Sequence, residues 1–372
     1  MYIRGFKIFL LLFLCITLTG CFWEKPTIIK FSTWGSASEL NILKPIIAEF
    51  EKENPSVKIE LMHIPQDYFK KLHLLFASNL TPDVVFINNL NLPLYKDFLL
   101  ELNEEFKSDE YYSQPIEAMT IQDKIYAIPR DVSTLVIYYN KALFNKYEVN
   151  YPTKSWTMVD LVFYASALSQ NGNWGIGLEP GIYYALPFMR YFGGGIFDKN
   201  GKYIADTKES EKSIKFYREL SNKYHIAPTA PQIGSKTLAQ MFLEGKIAMH
   251  LSGRWLVPKY RECAKFDWDV VNFPKCSSPS DTSGWAVSKS SKHKKLAIKF
   301  VLFLSSKENI AKMCEDGLIV PARKDVALSE DFLGGKPEHS DIFLYALENS
   351  TPTNVTTKYN KTVDILTDKY FK

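Results

Sequence analysis

Residues 124–140, KIYAIPRDVSTLVIYYN, set two strand-like runs on either side of a polar break. Ile125–Ile128 and Ser133–Tyr139 are rich in β-branched and aromatic residues, and Pro129-Arg130-Asp131 interrupts them. The pattern predicts a segment that leaves one compact lobe and enters another, crossing after Asp131. Polar residues at such a crossing face the space between lobes, where ligand sites preferentially form.

On either side the order of elements is α/β. Thr27–Trp34 reads as a strand, Ser38–Glu53 as an amphipathic helix stopped before Asn54-Pro55, and Val57–His63 as a second strand. A helix over Asp67–Asn79 and an apolar strand at Val84–Ile87 follow. Such alternation predicts a parallel or mixed sheet covered by helices. Ligands lie beyond the carboxyl ends of such strands, which puts Trp34-Gly35-Ser36 and Asn88-Asn89 at one cleft edge. The second half repeats the alternation, with helices at Met158–Ser169, Tyr183–Tyr191, Ser210–Tyr224 and Lys236–Glu244 around strands at Trp174–Leu178, Lys246–His250 and Trp268–Asn272. Gly284–Ser288 reads as a strand, and His293–Leu304 and Glu308–Glu315 as helices. A chain of 372 residues is too long for one ordinary core, so two lobes are expected.

At the N-terminus Arg4 and Lys7 precede the apolar run Ile8–Ile16, which fits a secretory signal over residues 1–20 and is too short for a permanent span. Leu18-Thr19-Gly20-Cys21 resembles the bacterial lipobox, making Cys21 the expected lipidated first residue of the mature chain. Cys263, Cys276 and Cys314 remain, so at most one internal disulfide is expected, with Cys263 and Cys276 the closest pair. Metal-ligand spacing, a P-loop and a dinucleotide fingerprint are absent, so neither cofactor nor metal is expected. Gly193-Gly194-Gly195 reads as a helix end and turn rather than a phosphate cradle. The net charge of +4 is dispersed apart from Lys289–Lys295, which argues against a nucleic-acid partner. Aromatic residues make up 14% of the chain, enough to leave rings available for a flat ligand.

From Thr27 to about Asp325 the chain resembles the extracellular solute-binding proteins of carbohydrate ABC importers, relatives of the maltodextrin- and glycerol-3-phosphate-binding proteins. The resemblance is carried by IKFSTWG at 29–35, FEKENPSVKIE at 50–60, TPDVVFIN at 81–88, IYAIPRDVSTLVIYYNKALF at 125–144 and SWTMVDL at 155–161. It continues with FGGGIFDKNGK at 192–202, FLEGKIAMHLSGRW at 242–255, SGWAVSKSSKHKKLAIKFVLFLSS at 283–306 and GLIVPARKDV at 317–326. Members usually continue into a further amphipathic helix, whereas this sequence ends at Lys372.

The resemblance implies a two-lobed periplasmic-binding-protein-like α/β fold, with 27–132 plus 284–321 in one lobe and 133–283 plus 322–372 in the other. It implies a monomer that closes on a mono- or oligosaccharide, or a sugar phosphate, and hands it to permease subunits at the membrane. Sugars need an aromatic platform for their C–H face and short polar groups for the hydroxyl rim. Trp34, Trp255 and Trp285 adjoin Gly35, Gly253 and Gly284 and are candidate platforms or core rings, whereas Trp156, Trp174 and Trp268 read as core. Asp83 and Asp131 are candidate hydroxyl acceptors, with Asp83 equally readable as a turn cap. Asn88, Tyr183 with Tyr184, Gly284 and Arg323 complete the candidate set. Two other readings compete. A polyamine would also suit carboxylates and Trp rings, and Asp83 with Asp131 can be imagined as a glycosidase pair, though the chain reads as a non-enzyme.

Overall fold

The computed structural model describes residues 25–78 and 80–371; the expected signal segment, residues 1–20, and Cys21 lie outside the described residues. Twelve strands are described: β1 (Thr27–Thr33), β2 (Val57–His63), β3 (Val84–Asn88), β4 (Thr120–Ile121), β5 (Lys124–Ile125), β6 (Ile128–Ser133), β7 (Val136–Asn140), β8 (Trp174–Gly177), β9 (Ile247–Ser252), β10 (Trp268–Asn272), β11 (Asp281–Val287) and β12 (Val320–Pro321). A six-stranded mixed sheet takes the order β12-β6-β11-β3-β1-β2, a four-stranded sheet the order β10-β7-β9-β8, and β4 with β5 forms a small hairpin. The two larger sheets build the two lobes.

Both sheets are buried on both faces, which is why their strands read as near-continuous apolar runs. In the first lobe Phe31 packs edge-on to Phe300 of the helix Lys294–Leu304, and Phe50 of the helix Ala37–Glu53 closes the same cluster. On the opposite face Val85, Ile87 and Ala286 meet Tyr68, Leu72 and Tyr95. In the second lobe Ile137 and Tyr139 join Leu161 and Phe188 of the helices Met158–Leu168 and Ile182–Tyr191. Tyr138, between them in sequence, points the other way, onto Tyr260 and Trp268. The Met158–Leu168 helix is started by a capping box in which Thr157 and Asp160 bond each other's backbone N–H.

The crossing differs in detail from the sequence expectation. Pro129-Arg130-Asp131 does not interrupt a strand; it lies within β6, and the chain crosses at Thr134-Leu135 before β7. Proline is accommodated because the β11–β6 register shifts between Ser283 and Gly284, so that Gly284 opposes Pro129 and Ser283 opposes Asp131. The bulge leaves Arg130 without a register partner in β11. Only glycine fits opposite Pro129, because a Cβ on Gly284 would lie 2.3 Å from the Ile128 carbonyl oxygen.

Residues 273–280 form a second crossing, from β10 to β11. After β12 the chain returns to the second lobe, where the helix Asp341–Glu348 packs on β10 and β7 and the helix Tyr359–Phe371 packs on Ile182–Tyr191. Trp156 and Trp268 are buried as expected, and Trp174 is partly buried. Gly193 and Gly194 close the preceding helix by donating to the Arg190 and Met189 carbonyls. Cys263, Cys276 and Cys314 are all free thiols.

Candidate functional site

The strand registers bring one end of each sheet to the lobe junction. Ser133, ending β6, pairs with Asp281, starting β11, and Asn88, ending β3, pairs with Ser283. Across the junction Val136, starting β7, is flanked by Ser252 and Asn272, the ends of β9 and β10. The carboxyl ends of β1, β3, β6, β8 and β9 therefore share one cleft, where open α/β sheets place ligands.

On the first-lobe wall Trp34 follows β1, partly buried, with its ring 4.2 Å from Phe86 and 4.9 Å from Tyr68 between centroids. Next to it Arg130 ties two carboxylates together, bonding Asp131 through Nε and Glu39 through Nη1, with its guanidinium 4.1 Å above the Phe86 ring. Burial pushes the Asp131 carboxyl up, and the Arg130 charge beside it opposes that shift. Asn88 uses its side-chain oxygen to hold the following turn, accepting from the Asn91 backbone N–H and side-chain amide.

At the floor, Asp281 is a hub. It accepts from the Asn89 side chain at 2.9 Å and from both the backbone N–H and the hydroxyl of Thr353, at 3.1 and 3.0 Å. A single buried carboxylate thus ties the first lobe, the second crossing and the segment leading to the C-terminal helix. Asn360 of that helix donates to Asn91 at 2.7 Å.

The second-lobe wall carries the rings. Trp255 is 37% exposed, and its ring covers Gly253, where an added Cβ would sit 2.0 Å from it. Tyr138 anchors that turn by donating to the Gly253 carbonyl at 2.8 Å. Tyr183 and Tyr184 are partly buried and edge-on to one another at the start of their helix. Tyr183 is near enough to Asp281 for that charge to push its phenol up further, after burial. Just past β8, Glu179 is half-buried, its carboxyl pushed up by burial, with no side-chain partner among the described residues. Beside Trp255, Arg254 is buried against the Phe332 ring at 3.9 Å and donates to the Phe332 carbonyl; burial lowers its pKa to about 10.

Of the residues singled out in the sequence, the fold brings Trp34, Asn88, Asp131, Tyr183 and Trp255 to this junction. It does not bring Asp83, which starts β3 at the far end, accepting from the Lys30 N–H and the Ser291 hydroxyl. By register Asp83 and Asp131 are separated by five β11 residues, about 16 Å along the strand. That exceeds the spacing of a hydrolytic carboxylate pair. Trp285 is 1% exposed in the core, and Gly284 is required for strand approach rather than for an open platform. Arg323 is ion-paired with Asp325 and Glu110.

Sequence reasoning passed over Glu39, Glu179 and Asp281, and named Arg130 only as part of the polar crossing. Glu179 was legible as an acid just beyond a strand; Asp281, in a Ser-rich loop, carried no local signal. Asp269, Glu338 and His339 converge within 4.8 Å, and Lys141 lies 3.3 Å from Asp269 and 2.9 Å from Glu338, supplying the compensating charge itself.

Two lobes joined by crossing segments, with rings on both walls and hydrogen-bonding groups on floor and walls, define a hinged small-solute receptor. The chain belongs to the family of bacterial extracellular solute-binding proteins, matched over residues 45–334. It is 26% identical to the galactooligosaccharide-binding protein of Bacillus subtilis over 79% of this chain and 73% of that one. It is likewise 26% identical to the maltodextrin-binding protein of the same organism, over 94% and 87%. In fold it is similar to an ABC substrate-binding protein of Listeria monocytogenes in complex with cycloalternan, at a TM-score of 0.84, 24% identity, and coverage of 94% and 93%. No helix among the described residues is long and apolar enough to cross a membrane.

Proposed function

We propose that this chain is a lipid-anchored receptor that captures an oligosaccharide between its lobes and delivers it to the permease of an ABC importer. The lobes follow the expected division, 27–132 with 284–321 and 133–283 with 322–372, except that Ser133 and residues 281–283 belong to the first-lobe sheet. One observation carries the reading: Trp255 offers a partly exposed ring, fixed over Gly253 just past the carboxyl end of β9, at the junction to which Trp34, Asn88 and Asp131 also come. Trp34, Asn88, Asp131 and Tyr183 are assigned to the same ligand, with Glu179 added from the structure. The curated relatives named for oligosaccharides support a sugar over a polyamine.

A thermal-shift screen of residues 22–372 against maltodextrins, galacto-oligosaccharides, glycerol phosphates and polyamines tests the solute class. A ligand at a hundred times its Kd stabilises the native state by about 2.7 kcal/mol. Stabilisation by polyamines alone would sink the sugar assignment, and release of shorter sugars during incubation would sink the non-enzymatic one. Since the candidate contacts lie on both lobes, the sugar found should also compact the protein in X-ray scattering. An unchanged radius of gyration at saturation rules out closure as the signal to the permease.

The anchor rests on Leu18-Thr19-Gly20-Cys21. Cys21→Ala is expected to shift the protein from the membrane fraction to the soluble one. Retention of the variant at the membrane with unchanged extractability would remove the lipoprotein reading.

A further inference from the structure

Beside the second crossing segment lies a cavity of about 490 Å³ that contains none of the rings or acids assigned to the cleft. Its walls are the C-terminal end of the helix Ile182–Tyr191, the glycine turn after it with residues 196–199, residues 275–277 of the second crossing, and residues 349–351, 353 and 354. We propose that this cavity binds a small oxyanion, a phosphate or a phosphate monoester, whichever solute the cleft takes.

Among the lining residues cations outnumber acids, although the buried Asp281 carboxyl beyond the wall also acts on Arg190. Arg190, Lys199 and Lys275 line the cavity against one acid, Asp198, whose carboxylate is already held by the backbone N–H groups of Asn200 and Lys202. Arg190 donates to the Thr351 and Pro352 carbonyls at 2.7 Å, and its charge meets no carboxylate within ion-pair distance among the described residues. Lys199 and Lys275 form no ion pair among them either; the Lys275 ammonium rests 4.5 Å from the Tyr191 ring centre. A cation in the last turn of a helix is favoured by the helix dipole. That accounts for Arg190 but not for two lysines arriving from separate loops.

The backbone supports a purpose for Lys275. Lys275 and Cys276 both adopt left-handed conformations, with φ of 57° and 48°, which non-glycine residues avoid. This turn puts Lys275 among the residues that line the cavity with Thr351 and Asn354, while the neighbouring Ser277 hydroxyl donates to the Pro187 and Pro274 carbonyls and fixes the turn. Three cations spread around a polar cavity of this size suit a compact, multiply charged ligand, which would bridge the second crossing to the 349–354 segment.

Calorimetric titration of inorganic phosphate into the mature chain, at low ionic strength with chloride as the control, tests the site. One phosphate should bind per chain, and the double variant Lys199→Met/Lys275→Met should lose at least tenfold in affinity. Both lysines are exposed, so the variant should unfold at the wild-type temperature without phosphate. Parallel titration with glycerol phosphate separates the sources: tighter binding than inorganic phosphate assigns the monoester, weaker binding the free anion. Absence of saturable binding to either probe, or equal phosphate binding by wild type and double variant, overturns the proposal.

Discussion

Asp281→Ala should lower the stability of the chain by about 2–4 kcal/mol, because three buried donors lose their shared acceptor at once. Those donors are the Asn89 amide and the N–H and hydroxyl of Thr353, which come from opposite ends of the sequence. Chemical denaturation reads the effect directly, and Thr353→Val, which removes only the hydroxyl, should cost a fraction of it. A loss below about 0.5 kcal/mol for Asp281→Ala, within the ordinary range for surface substitutions, would mean that the junction is held by packing instead.

The same residue has a pH signature. Burial raises the Asp281 carboxyl above its ordinary value, and the Asn89 bond and the Arg190 charge oppose the shift. In the window between the ordinary carboxylate value and the raised one, the folded state holds more protons than the unfolded. The proton-linked part of its contribution to stability, distinct from the three hydrogen bonds, is therefore complete below the ordinary value and is lost as pH rises through the raised one. Asp281→Asn should remove this component of the profile whatever it does to the absolute stability.

The second large effect belongs to Trp255. Trp255→Ala should weaken binding of the sugar found by screening by about 1–3 kcal/mol, the range for an aromatic anchor at a binding surface. The fold should survive, since a ring 37% exposed has less burial to lose than a core tryptophan, whose removal costs about 3–5 kcal/mol. Gly253→Ala supplies an independent arm. Its new methyl would occupy space now filled by the Trp255 ring, so the platform would tilt with the indole still present. Loss of affinity in both variants supports stacking. Unchanged affinity with lost stability in Trp255→Ala would return the ring to the core.

Local patterns were enough to read most of the fold. Strands buried on both faces leave unbroken apolar runs such as VVFIN at Val84–Asn88, and caps such as Thr157 with Asp160 mark helix starts within a few residues. The misplaced crossing shows where such reading fails. Pro129 looked like a strand breaker, and only the bulge opposite it, made possible by Gly284 some 150 residues later, keeps β6 continuous. The C-terminal elements went unread because the helices Asp341–Glu348 and Tyr359–Phe371 follow loops with little periodic context.

The candidate site divides in the same way. The sequence by itself determined the α/β class and the two-lobe plan, and from strand ends, helix starts and quoted motifs it offered Trp34, Asn88, Asp131, Tyr183 and Trp255 as candidates, which the fold gathers at one junction. Only the tertiary structure decided that Asp83 closes a remote turn, that Trp285 is core, that Arg323 is spent on Asp325 and Glu110, and that Asp281 joins the lobes. The physical reason is that burial and hydrogen-bond partners are properties of residues brought together across hundreds of positions, as Asn89 and Asp281 are, and leave no periodic trace in either neighbourhood.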